Sequence, residues 1–134
     1  MKTHQSFLFM PAIIVASAVM FSGCFSGGSV SKAGTAPAAS VTITESDYLI
    51  DVRSADEYAE GHLKGARLIP HTEIAEKIAG LTTDKAAAIY VYCRSGRRSG
   101  IARETLEKLG YTRVVNLGSK EEAAERTALP VVTD

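Results

Sequence analysis

Tryptophan is missing from these 134 residues, and cysteine nearly so: only Cys24 and Cys93 occur. Two cysteines build neither a disulfide framework nor a metal cluster, so no metal site is expected. An excess of either charge is missing as well. Fifteen Lys and Arg stand against fifteen Asp and Glu, which gives no basic surface for nucleic acid and no acidic tail. There is no internal repeat, no GxxxxGKS phosphate loop, no Ser/His/Asp arrangement of credible spacing and no pair of catalytic carboxylates. What remains is a chain long enough for one domain plus an export segment, with an apolar fraction of 46% that suffices for one core.

What is present centres on residues 86–99, AAAIYVYCRSGRRS. Ala88, Ile89, Tyr90, Val91 and Tyr92 form an apolar run unbroken by Gly or Pro, as in a strand buried on both faces of a parallel sheet. Cys93 ends it. Arg94, Ser95, Gly96, Arg97 and Arg98 follow as a tight loop, and Ser99 leads into a helix. The apolar face of that helix is Ile101, Ala102, Thr105, Leu106 and Leu109, and Gly110 supplies its stop.

A strand–Cys–loop–helix unit suits a nucleophile. Successive N–H groups curl into an anion-binding nest, the helix adds its positive end, and the three arginines add full charges. Together these lower the Cys93 pKa from its ordinary value of about 8.5. Gly96 permits a turn with positive φ. The competing reading is an inert thiol buried at a strand end.

The rest of the folded part alternates strand and helix. Residues 48–52 read as a buried strand. Ser54 and Glu57 form a capping box for a short helix ending near Glu60 and Gly61. Residues 67–69 are a strand closed by Pro70. Thr72 caps a helix bearing Ile74, Ala75, Ile78 and Ala79, with Gly80 as its stop. Residues 114–116 are a further strand. The charged run Lys120-Glu121-Glu122 leaves a last helix over 120–126 open, and residues 129–132 pack back on the core. Alternating βα units imply an α/β fold with a parallel sheet and helices on both faces. In such sheets ligands bind beyond the C-terminal strand ends, where Cys93 falls.

Three pieces in register resemble the rhodanese (thiosulfate sulfurtransferase) family: Asp51-Val52-Arg53 with Glu57-Tyr58, the run GHLKGARLIP at 61–70, and the loop CRSGRRS at 93–99. Within that family, the compact size and exported N-terminus look most like the periplasmic phage-shock single-domain type. The resemblance implies a single rhodanese-like domain over residues 41–134 with Cys93 as the catalytic nucleophile. Arg94, Ser95, Gly96, Arg97 and Arg98 would bind substrate. Arg98 takes the family's arginine position, while Arg97 stands where many members have a neutral residue.

The implied reaction is double displacement, which needs no cofactor. The Cys93 thiolate takes the sulfane sulfur of thiosulfate as a persulfide and passes it to cyanide or a thiol acceptor. Asp51 and Arg53 read as a structural pair, since buried charges are paired, and the resemblance agrees. His62, in a Gly-flanked turn, makes a structural hydrogen bond. Related phosphatases and arsenate reductases place five residues between Cys and Arg. Here Arg98 stands one position earlier, and this shorter loop favours sulfur over phosphate. A third reading is a tethered persulfide carrier without rapid turnover.

Residues 1–23 read as a signal peptide, with Lys2 ahead of an uncharged apolar run over 7–21. Phe21-Ser22-Gly23-Cys24 resembles a bacterial lipobox, in which Cys24 is lipidated; that pattern usually has an aliphatic residue where Phe21 stands. Cleavage elsewhere and retention as an uncleaved anchor compete with this. Residues 24–40, rich in Gly, Ser and Ala, read as a flexible tether. The expectation is a monomeric lipoprotein of the bacterial cell envelope, facing the periplasm and held to the membrane through Cys24, with no nucleic-acid partner.

Overall fold

A computed structural model of the chain describes residues 39–133; the leader, Cys24 and the tether up to residue 38 lie outside the described residues. Four parallel strands form the main sheet in the order β3-β1-β4-β5: β1 (Tyr48–Asp51), β3 (Arg67–Leu68), β4 (Ala88–Cys93) and β5 (Arg113–Ser119). The centre belongs to β4, which pairs with β1 along Tyr48–Asp51 and with β5 along its whole length.

Alternation along the strands sorts the core into two layers. Ile50, Val52, Ile89, Val91 and Cys93 pack with Ile74 and Ile78 of α2 (Ile74–Leu81) and with Ala102 and Leu106 of α3 (Arg97–Lys108). On the other face, Leu49 and Tyr92 pack with Leu63, Leu117 and Ala123 of α4 (Lys120–Thr127). Full burial of side chains such as Ile89 and Val91 is worth roughly 1.5–3 kcal/mol each. The α/β reading with helices on both faces holds.

Several local expectations are corrected. The short α1 (Ala55–Ala59) has the expected Ser54–Glu57 capping box. Thr72, however, does not cap α2: a turn closed by the Glu73 N–H on the Pro70 carbonyl (2.8 Å) moves the N-cap to Glu73, with no side-chain cap. Gly80 lies inside α2, which ends where Thr82 turns extended and its carbonyl accepts from the Tyr111 hydroxyl at 2.6 Å. Helix α3 begins at Arg97, not after Ser99, because Gly96 already turns the chain as N-cap. Its buried face is Ser99, Ala102 and Leu106, and Ile101 and Leu109 are exposed. It does end at Gly110, in a Schellman motif: Tyr111 N–H to Leu106 O and Gly110 N–H to Glu107 O.

The last helix, α4, forms despite its charge. Ser119 and Glu122 make a second capping box, and the two acids sit at the helix end that favours them. A small antiparallel sheet, β2 (His62–Leu63) with β6 (Val131–Val132), was not foreseen; it pins the C-terminal segment beside α1. Near the start of the described residues, the Val41 N–H donates to the Arg126 carbonyl at 2.7 Å.

Candidate active site

Cys93 closes β4 on the face it shares with Ile89 and Val91, and no part of it is exposed. The chain then turns over the sulfur. Gly96, at φ 82°, is left-handed, a conformation that costs a residue with Cβ about 1–2 kcal/mol. A Cβ there would also lie 3.5 Å from the Gly118 Cα. The turn aims the Gly96 N–H at Cys93 Sγ (3.1 Å), and the buried Ser99 hydroxyl stands 3.4 Å from the same sulfur.

Burial alone pushes the Cys93 thiol up. The Ser99 hydroxyl and the N–H groups of Ser99, Ser95 and Gly96 outweigh it and hold the thiol below its ordinary value. The Ser99 N–H belongs to the first turn of α3, where helical N–H groups have no partner within the helix. The depression expected at this sulfur is therefore present; its leading sources are hydrogen bonds from the loop and helix, while the Arg98 guanidinium is coupled to the sulfur through its charge.

The arginines are arranged unequally. Arg98 is held by Glu57 in a two-pronged pair, Nη1 to Oε2 at 2.6 Å and Nη2 to Oε1 at 2.8 Å, with the side chains 29% and 23% exposed. Glu57 also accepts from the Ser54 N–H and hydroxyl. Hydrogen bonds from Arg98, working against burial and aided by Ser54, pull the Glu57 carboxyl down to about 2. Arg94, Ser95 and Arg97 are exposed. Arg97 and Arg98 open α3, whose first turn has no acidic residue. Cations are disfavoured at that helix end; Glu57 offsets one of them from outside the helix.

A polar cavity of about 360 Å³ lies beside the loop, walled by Arg53, Glu57, Glu60, Arg94, Lys120 and Glu121. Its walls follow the ends of β1, β4 and β5, the crevice where parallel sheets bind ligands. Among the described residues no three His, Cys, Asp or Glu side chains gather to hold a metal ion.

The other singled-out polar residues face each other. Asp51 accepts from the Arg53 N–H (3.0 Å), Nε (2.9 Å) and Nη2 (2.6 Å), and Nη2 also donates to the Gly61 carbonyl at 2.8 Å. Burial works against the Arg53 charge, but the hydrogen bond and attraction of Asp51 raise its pKa regardless. His62 lies in β2 rather than in a free turn. Its ring stacks on Tyr58 (centroids 3.7 Å, planes 7° apart), with Nδ1 3.1 Å from the Tyr58 carbonyl.

Two residues of consequence escaped the sequence reading of the site. Ser99 was taken only as the helix entry, although a hydroxyl two residues into a helix that starts at a Cys loop is well placed to turn back on the sulfur. Glu57 reads from the sequence as half of a capping box and as part of the family-like piece with Asp51 and Arg53, with no sign of its tie to Arg98.

The chain matches the rhodanese-like domain family over residues 36–122, and it belongs to that family. It is 40% identical over 85 residues to thiosulfate sulfurtransferase PspE of Escherichia coli K12, a match covering 63% of this chain and 82% of that protein. A sulfurtransferase of Allochromatium vinosum is 36% identical over 89 residues, covering 66% and 81%. Among solved structures, an E. coli rhodanese with bound anions superposes with a TM-score of 0.60 at 40% identity, over 66% of this chain and 99% of that one.

Proposed function

We propose that this chain is a thiosulfate sulfurtransferase acting through a Cys93 persulfide. The observation that carries the reading is the set of N–H and O–H donors converging on one buried sulfur whose thiol is held low; the relatives, named for sulfur transfer, support it. In the first step the Cys93 thiolate attacks the outer sulfur of thiosulfate. The S–S bond of the donor breaks, sulfite leaves with the electron pair, and Cys93–S–S⁻ remains. Cyanide or a thiolate then attacks the outer sulfur, forming thiocyanate or a new persulfide and restoring the thiolate. Each transfer moves one sulfur atom and needs no redox partner. Loop N–H groups stabilise the terminal sulfur's charge as an oxyanion hole would.

Arg94, Arg97 and the Lys120 side of the cavity draw the dianion in, and Arg98, held by Glu57, backs the loop. Because Cys93 is fully covered, entry of the donor includes a local movement of the residues above it. Thiocyanate formation from thiosulfate and cyanide, with ping-pong kinetics and an adduct of about 32 Da, the mass of one sulfur, on the Cys93 peptide, is the expected result. Cys93→Ser forming thiocyanate at the wild-type rate would overturn it. Hydrolysis of p-nitrophenyl phosphate is the control for the phosphatase alternative.

Export and anchoring through Cys24 belong to the same proposal. No helix among the described residues is long and apolar enough to cross a membrane, and lipidation supplies attachment in another way. Radiolabelled palmitate is expected on the chain and absent from Cys24→Ser.

A further inference from the structure

The Gly96 carbonyl is the crowded point of the cysteine loop. It accepts from the Gly100 N–H at 3.0 Å, from the Ser99 hydroxyl at 3.0 Å and from Asn116 Nδ2 at 3.1 Å. A carbonyl oxygen has two lone pairs, so three donors contend for it. Ser99, among the three, has a second acceptor within reach. Its single hydrogen can instead go to Cys93 Sγ, 3.4 Å away.

Asn116 comes from outside the loop, on β5. Its orientation is set from its other end: Oδ1 accepts the Gly118 N–H at 2.9 Å, which identifies the oxygen and leaves Nδ2 facing the loop. That contact sits at the irregularity where β5 slips its register against β4 beyond Val91, with Gly118 at φ 91°. The bulge and the loop are close-packed, as the 3.5 Å between a Gly96 Cβ and the Gly118 Cα shows. One amide thus ties the bulge to the cysteine loop.

We propose that Asn116 is a positioning residue for the Cys93 thiolate: by filling the Gly96 carbonyl, its amide releases the Ser99 hydrogen to the sulfur. The side chain of Asn116 bonds to the Gly96 carbonyl and the Gly118 N–H, not to the sulfur; it acts through Ser99. The inference rests on Cys93 being the nucleophile of the proposed reaction, and its test does not depend on turnover.

The measurement is the pH profile of Cys93 alkylation by iodoacetamide, read by mass spectrometry on the Cys93 peptide of the full chain, for wild type, Asn116→Ala, Ser99→Ala and the double variant. Asn116→Ala should raise the apparent thiol pKa by about half a unit to one unit, slowing alkylation below the midpoint roughly three- to tenfold. Ser99→Ala should do the same. In the Ser99→Ala background, Asn116→Ala should add nothing, the non-additivity expected of residues acting in series. An unchanged profile in Asn116→Ala, or an equal shift in both backgrounds, would overturn the proposal; the latter is what a merely loosened bulge produces. If Asn116→Ala does not fold, Asn116→Ser enters the same cycle. Its hydroxyl can still accept the N–H two residues on but is too short for Gly96. Thiocyanate formation, assayed separately on the wild type, tests the sulfurtransferase reading; its failure with an intact alkylation cycle would remove that reading and leave the role of Asn116 standing.

Discussion

Two neighbouring strands of one sheet end in buried polar groups, and they treat them oppositely. At the end of β1, Asp51 meets Arg53, a cation of equal and opposite charge, whose N–H, Nε and Nη2 donate to it, Nη2 also reaching the Gly61 carbonyl. At the end of β4, the hydrogen bonds to Cys93 come from neutral groups, N–H groups and one hydroxyl. Arg98, whose charge Glu57 already pairs, acts on the sulfur only through space. The first arrangement cancels a charge and closes. The second solvates a charge without cancelling it, which is what the proposed reaction asks of a sulfur that is first a nucleophile and then carries the transferred atom. Buried polarity alone does not distinguish a site from a strut; whether a counter-ion neutralises it does.

That contrast breaks most severely at Cys93. Cys93→Ser keeps the shape and the donors but loses the polarizable sulfur. Thiosulfate:cyanide turnover should fall on the order of 10⁴-fold or more, with the urea midpoint nearly unchanged. Asp51→Ala should do the reverse. It leaves the Arg53 guanidinium buried without its partner, a loss of about 3–5 kcal/mol against a total stability of roughly 5–15 kcal/mol for a domain. Urea unfolding reads it directly. A loss below about 1 kcal/mol would mean that the β1 pair is not the strut described here.

Much of this was legible beforehand because it is local. The run at 88–92, the Cys-loop-helix order and the Ser54–Glu57 box are short-range patterns whose physics needs no partner. What was missed is long-range or displaced by a residue or two. The β2–β6 pairing joins His62 to Val132, and nothing near either residue announces it. The start of α3 lies earlier than the sequence suggests because Gly96 already turns the chain, and Arg97 and Arg98 open the helix although cations are disfavoured there. The α4 helix was legible after all: Ser119-Lys120-Glu121-Glu122 is a capping-box pattern hidden by its charge. Asn116 gave no local sign, since its two partners lie on a bulge and on a loop of another strand.

Glu57 sharpens the comparison from between its two poles, because it carries a charge pair into the active site. Glu57→Gln should free Arg98 and lower kcat/KM several-fold, roughly 1 kcal/mol or more in transition-state binding. It also weakens the α1 capping box, so stability at pH 7 falls by about 1 kcal/mol. The sign with pH follows from the depressed carboxyl, ordinarily at 4.5 and here at about 2. Its contribution is complete above about pH 4.5 and is lost as pH falls toward 2. The wild type should therefore lose its advantage over Glu57→Gln between those values, as urea midpoints at pH 7 and pH 3 would show. An advantage that survives at low pH would assign it to packing.

Arg97 offers the smallest effect and the finest division. Unlike Arg98, it is exposed at the start of α3, a position unfavourable for a cation unless an anion is expected nearby. Its part should therefore be attraction at a distance rather than a fixed contact. Arg97→Ala is expected to lower kcat/KM for thiosulfate about two- to fourfold at low ionic strength and to leave kcat alone. The difference should vanish near 0.5 M salt, where the Debye length is only about 4 Å. A deficit that persists in high salt, or one that appears in kcat, would move Arg97 from the approach path to the reacting sulfur itself.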